Sequence, residues 1–158
     1  MLLYLKNHTM KLQFFYIVLA VVAGAVLPLQ AGLNVQLGKS VHQPIFAAFA
    51  SFLIGSLGLL AYLLALKFDF TTVSQTKSVP PVVWLAGILG AFYVAAVIIL
   101  APRLGTALTF SLVVTGQMVI SLILDHYGLM GLPVKQINWQ RMVGVAFLIT
   151  GVLLIRRF

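Results

Sequence analysis

Residues 78–124 read SVPPVVWLAGILGAFYVAAVIILAPRLGTALTFSLVVTGQMVISLIL, and Arg103 is the only charged side chain in that run. On either side of it lies an uncharged block, Ser78–Pro102 and Leu104–Leu124. Each can cross a bilayer, because about 20 apolar helical residues span roughly 30 Å of hydrocarbon. No water is there to bond exposed N–H and C=O groups, so such blocks must be helical to satisfy their own backbone. Further out, Leu12–Gly38 and Gln43–Leu66 are also uncharged. The last block, Met142–Ile155, has only fourteen residues between Arg141 and Arg156. Arginines snorkel and Trp139 can anchor at the headgroups, which extends the block to Trp139–Phe158. It also lacks the charged face of a helix lying in the interface. The expected spans are near 12–34, 45–66, 82–101, 104–124 and 139–157. Together they make an all-α integral membrane protein with one transmembrane domain over residues 1–158.

Composition agrees. Of the 158 residues 62% are hydrophobic and 8% charged, against roughly 25% charged in soluble domains. Too few polar side chains remain to cover a water-facing surface. With no cysteine, disulfides and thiolate metal sites are excluded. The formal net charge of +8 first suggests nucleic acid. Yet the ten Lys and Arg residues stand singly or in pairs between apolar blocks, as they do when flanking membrane helices and meeting anionic headgroups. There is no basic stripe for a nucleic-acid partner.

Pro44, Pro80, Pro81 and Pro102 are expected to precede or open helices, where a missing N–H costs little. Pro28 falls inside the first span and should kink it, freeing a carbonyl that neighbours must satisfy. Lys6 and Lys11 before an apolar run imitate a secretory signal. The run continues past any cleavage site and more spans follow, so an uncleaved first helix is expected. Met10-Lys11 opens the block directly, making Met10 a candidate alternative start and residues 1–9 a candidate extension.

Five spans put the termini on opposite sides. The N-terminal side, side A, carries Lys6, Lys11, Lys67, Lys77, Lys135 and Arg141, and side B carries Lys39, Arg103, Arg156 and Arg157. Six against four is a weak orientation signal under the Lys/Arg rule. Two readings follow: insertion both ways with pairing of inverted copies, or a fixed orientation with side A cytoplasmic. Many secondary transporters join two inverted halves around a midplane site, and an odd-numbered chain resembles one such half.

Particular stretches sharpen this. Pro102-Arg103-Leu104-Gly105 leads into Leu108-Thr109-Phe110, Gly116-Gln117 and Ser121–Gly128, with Gln30–Asn34 upstream and Arg141-Met142-Val143-Gly144 downstream. This pattern resembles the YdcZ-like branch of the drug/metabolite transporter superfamily over nearly the whole chain after Met10. The resemblance implies a multi-pass protein of the bacterial inner membrane, half of a ten-helix transporter fold assembled from inverted copies. The chain departs from small multidrug transporters in having no acid in its first span, which argues against their proton-for-cation exchange. Its only acids are Asp69 and Asp125, both at expected span ends.

Polar residues inside hydrocarbon are costly and each asks for a reason. On the fourth span Thr109, Gln117, Ser121 and Asp125 recur at multiples of four, with Thr106 on the same side. Gln117 lies near the midplane, where its amide can bond a solute or hold helices together. Hydroxyls of Thr109, Ser111, Thr115 and Ser121 can instead bond their own preceding turns. Gln30 and Asn34 are four apart just past Pro28 and share a face. They read as half of a polar site or as interhelical glue. Tyr93 can offer a hydroxyl or simply pack. Arg103 can draw anionic solutes to a cavity mouth or bind headgroups. Asp125 can exchange protons or pair with a base such as Arg141. Gly87, Ala91 and Ala95, and likewise Ser51 and Gly55, mark close helix packing, and Trp84 and Trp139 read as interfacial anchors.

Ser121, Asp125 and His126 carry the letters of a hydrolase triad, but Asp125 and His126 are neighbours pointing apart and no nucleophile elbow is present. His8, His42 and His126 lack ligand spacing, so no enzymatic activity, metal or cofactor is expected. The reading is a transporter of a small polar or zwitterionic solute, an antiparallel homodimer with Gln30, Asn34 and Gln117 of each copy at a midplane cavity. A non-transporting scaffold or accessory subunit and a passive channel are the alternatives.

Overall fold

The computed structural model describes the backbone of residues 2–158 and the side chains from Met10 onward. The side chains of the candidate extension over residues 1–9 therefore lie outside the described residues. Five α-helices follow one another: α1 Leu2–Ser40, α2 Pro44–Ala65, α3 Leu85–Leu104, α4 Thr106–Tyr127 and α5 Trp139–Arg157. Short 3₁₀ segments occupy Phe70–Ser78 and Pro81–Trp84 before α3, and Leu129–Gly131 after α4. There is no strand among the described residues. Five stretches are long and apolar enough to cross a membrane: Met10–Ser40, Pro44–Ala65, Pro81–Leu104, Thr106–Tyr127 and Trp139–Arg157.

Local chemistry sets the helix ends. Gln43 caps α2, its side chain accepting the Ile45 N–H at 3.3 Å, with Pro44 as first helical residue. Asn138 caps α5 by accepting the Arg141 N–H at 2.9 Å. The helix α1 continues unbroken through Pro28 as far as Ser40. Lys39 in its last turn is favoured by the negative end of the helix dipole.

Pro102 corrects an expectation. It lies inside α3, whose last turn carries Arg103, instead of opening the next helix. A proline this near the end costs few helical bonds, and the chain leaves through Gly105 at φ 84°. Thus α3 runs to Leu104 and α4 starts at Thr106, displaced from the expected boundaries. The 3₁₀ run at Phe70–Ser78 also has a local cause. Thr72, Ser74, Thr76 and Ser78 each bond the carbonyl three residues back, at 2.7–2.8 Å.

The chain forms two compact units, Met1–Ile99 and Leu100–Phe158, the division falling within α3. In the first, α1 and α2 form a tight hairpin in which the Gln43 N–H donates to the Gly38 carbonyl at 2.9 Å. A Cβ on Gly38 would stand 3.3 Å from Pro44 Cα, so a larger residue there would have to push the turn open by a few tenths of an ångström. Ala47, Ala48 and Ile98 are buried, with Val35, Leu37, Val94 and Ala95 packed against them. Alanine at the contact lets helix backbones approach.

In the second unit α4 and α5 lie alongside each other. Gly128 terminates α4 in the left-handed region at φ 59°. A Cβ on it would lie 2.6 Å from Val134 Cγ2 and 3.3 Å from the Leu132 carbonyl oxygen.

Large apolar side chains stay outside. Phe14, Phe92 and Phe147 are 68%, 73% and 71% exposed. In water each would forgo about 1.5–3 kcal/mol of burial. In hydrocarbon that loss does not arise, so the exterior is a lipid-facing one.

Candidate functional site

The polar residues singled out in the sequence fall into two groups, one in each unit. In the first, the Gln30 and Asn34 amides both donate to Ser51 Oγ, each at 3.4 Å. Asn34 is 7% exposed, whereas Gln30 is exposed. Gln30 and Ser51 line a small cleft of about 220 Å³ with Phe52, Gly55 and Ser56. One hydroxyl on α2 thus gathers two amides four residues apart on α1, and the Gln30 side chain keeps further donor and acceptor capacity facing the cleft. Tyr93, also in this unit, is half-buried on α3.

Ser51 was legible only as a packing residue. The signal was present: Ser51 is a hydroxyl inside an apolar span, and the span before it carries Gln30 and Asn34 on one face. Ser51→Ala is expected to leave the buried Asn34 amide without its acceptor. The cost should be about 1 kcal/mol, in line with roughly 0.6–1.7 kcal/mol for polar contacts between membrane helices. Titration of unfolding with a denaturing detergent measures it. Unchanged stability would show that these bonds hold nothing.

In the second unit the polar residues of the fourth span separate by their hydrogen bonding. Thr109, Ser111 and Thr115 donate to the carbonyls of Gly105, Ala107 and Ser111, at 2.8, 2.7 and 2.8 Å. They bond their own helix and ask for no partner. Gln117 and Ser121 are exposed and have no side-chain hydrogen bond among the described residues. Asp125 Oδ2 pairs with Arg141 Nη1 at 3.3 Å, both groups about one-third exposed. The same Nη1 donates to the Lys135 carbonyl at 3.2 Å, and the Lys135 N–H donates to the Asp125 carbonyl at 2.8 Å. The Ile137 N–H donates to His126 Nδ1 at 3.2 Å. Asp125, His126 and Arg141 therefore fasten the connection between α4 and α5. Being partly solvated, the ion pair itself is worth about 1 kcal/mol or less.

Arg103 sits exposed in the last turn of α3, not in a connecting loop. Asp69 is a capping residue: the Thr71 hydroxyl and backbone N–H hold its carboxyl below the usual carboxylate range. Among the described residues no three His, Asp or Glu side chains gather as a metal site.

Exposed apolar side chains along five helices long enough to span, among the described residues, define a multi-pass membrane protein. The model of the family described as "Putative inner membrane exporter, YdcZ" matches residues 15–154. The chain belongs to that family, within the drug/metabolite transporter superfamily, and is a multi-pass protein of the inner membrane. No curated protein and no solved structure matched it.

Proposed function

We propose that the chain exports a small polar or zwitterionic solute, working as a homodimer of two oppositely inserted copies. The observation that carries this is an exporter family match on a chain whose described residues hold an odd number of helices long and apolar enough to span, five. Five spans do not divide into two equal inverted halves, which supports a second copy as the other half. The six-against-four distribution of Lys and Arg supports insertion both ways. In the first unit Gln30 and Asn34 are the side chains offered to solute, with Tyr93 as a further hydroxyl. In the second they are Gln117 and Ser121, while Arg103 and Asp125 serve at the membrane face. Amide side chains suit neutral or zwitterionic groups better than a bare cation.

A non-transporting scaffold is the second reading, favoured by the Asn34 amide's bond inside its own chain. Efflux from proteoliposomes separates the readings. Vesicles loaded with a panel of radiolabelled amino acids and sugars should empty faster with the protein for at least one solute, and the rate should saturate. A linear rate would indicate a channel, and no efflux for any solute a scaffold.

A further inference from the structure

Two clefts between α4 and α5 adjoin each other. One, of about 390 Å³, is lined by Ser121, Asp125, Arg141, Gly144 and Leu148 among others. The second, of about 550 Å³, shares Gly144 and Leu148 and continues past Phe110, Phe147 and Gly151 to Ile155. Measured along α4 from Ala107 to Asp125, the pair extend about 27 Å at 1.5 Å per residue.

The two ends differ in chemistry. Ser111 and Thr115, the hydroxyls of the larger cleft, are spent on their own helix, so that cleft is apolar in effect. At the other end Asp125 and Arg141 are each about one-third exposed. Asp125 uses only Oδ2 and Arg141 only Nη1 of their side-chain groups among the described residues. Asp125 Oδ1 and the remaining guanidinium donors are therefore open to a ligand. A lone cation near this pair gains Asp125 and meets Arg141, and a lone anion the reverse. A group carrying both charges gains from both.

We infer that the α4–α5 cleft binds a single-chain zwitterionic amphiphile. Its alkyl chain runs along the floor formed by Gly144 and Gly151, and its charged head sits at Asp125 and Arg141. A helix of an inverted second copy suits the cleft less well. Inversion would bring that copy's Lys39, Arg103, Arg156 and Arg157 to this membrane face, with no acid for Arg141, because both acids lie on side A. This charge argument, though not the shape of the cleft, rests on the inverted pairing proposed above.

The test is native mass spectrometry of the full chain released from detergent micelles and titrated with lysophosphatidylethanolamine. Three comparisons run beside it: lysophosphatidylglycerol with an anionic head, dodecyltrimethylammonium with a cationic one, and glycerophosphoethanolamine with no chain. The expected result is one adduct per chain, saturable, at least tenfold tighter than any of the three. A Cβ at Gly151 or Gly144 meets nothing within 4 Å, so Gly151→Leu has room for its first carbon, and its longer side chain should fill the cleft and weaken the adduct at least tenfold. Gly144→Leu provides the same blockade at the junction of the clefts, and Arg141→Gln should erase the preference for the zwitterion.

Equal binding of all four probes, or unchanged affinity in both glycine variants, would overturn the inference. So would loss of the dimer in Gly151→Leu with lipid binding intact, which would give the groove to a second copy. Binding is read without flux, so failure here leaves the export reading standing, and an absence of efflux leaves this one standing.

Discussion

A chain carrying Arg156→Ser and Arg157→Ser together should insert in one orientation, with side A in the cytoplasm. The wild-type signal is six Lys and Arg residues on side A against Lys39, Arg103, Arg156 and Arg157 on side B. The double change leaves two on side B and removes both from the end of α5, within reach of the membrane surface where such charges act. About nine-tenths of molecules or more should then share that orientation. The opposite lock removes Lys11, Lys67, Lys77 and Lys135, leaving side A with Lys6 and Arg141 against the four of side B. Neither locked form should export alone, and co-expression of the two should restore export. The measurement is tag accessibility combined with efflux from each strain. Full export by one locked form alone would rule out pairing of inverted copies.

The second large effect concerns Gln117. It stands twelfth of the 22 residues of α4, and it is exposed without a hydrogen-bond partner among the described residues. An amide facing hydrocarbon forfeits about 1–3 kcal/mol on scales drawn from proteins. A membrane protein keeps such a residue for use, not for stability. Gln117→Leu should therefore leave assembly unchanged or slightly firmer while lowering saturable efflux tenfold or more, about 1.4 kcal/mol of barrier. Gel filtration and efflux on the same preparation decide between roles. If the variant falls apart into monomers, Gln117 is glue between copies and the scaffold reading gains.

What the sequence made legible follows from how strongly the bilayer constrains it. Hydrocarbon thickness fixes the length of each apolar block, so five helices could be counted from charges alone. Even the fourteen-residue block before Arg156 belongs to a 19-residue helix, Trp139–Arg157, which Asn138 caps. The family resemblance was equally readable because its residues recur along most of the chain.

Other features depended on partners distant in sequence or on subtle local bonds. Ser51 gains its meaning only where α2 meets α1. Pro102 misled because a proline usually stands outside a helix, but tolerating one in the last turn costs little. The 3₁₀ segment before α3 arises from hydroxyls bonding three residues back, a choice too fine for a hydropathy pattern. The Asp125–Arg141 pair was readable as one option among several. Its role as a fastening for residues 128–138 appears only with the Lys135 and Ile137 bonds in view.

The central claim, that one polypeptide furnishes both inverted halves of an exporter, is tested most directly by a single cysteine appended after Phe158. The native chain has none, so labelling reports that site alone. In intact cells a membrane-impermeant maleimide should label a substantial fraction of molecules. The remainder should react only after the membrane is opened. Labelling of all molecules from one side, in a chain expressed by itself, would contradict the account and assign the second half to a different polypeptide.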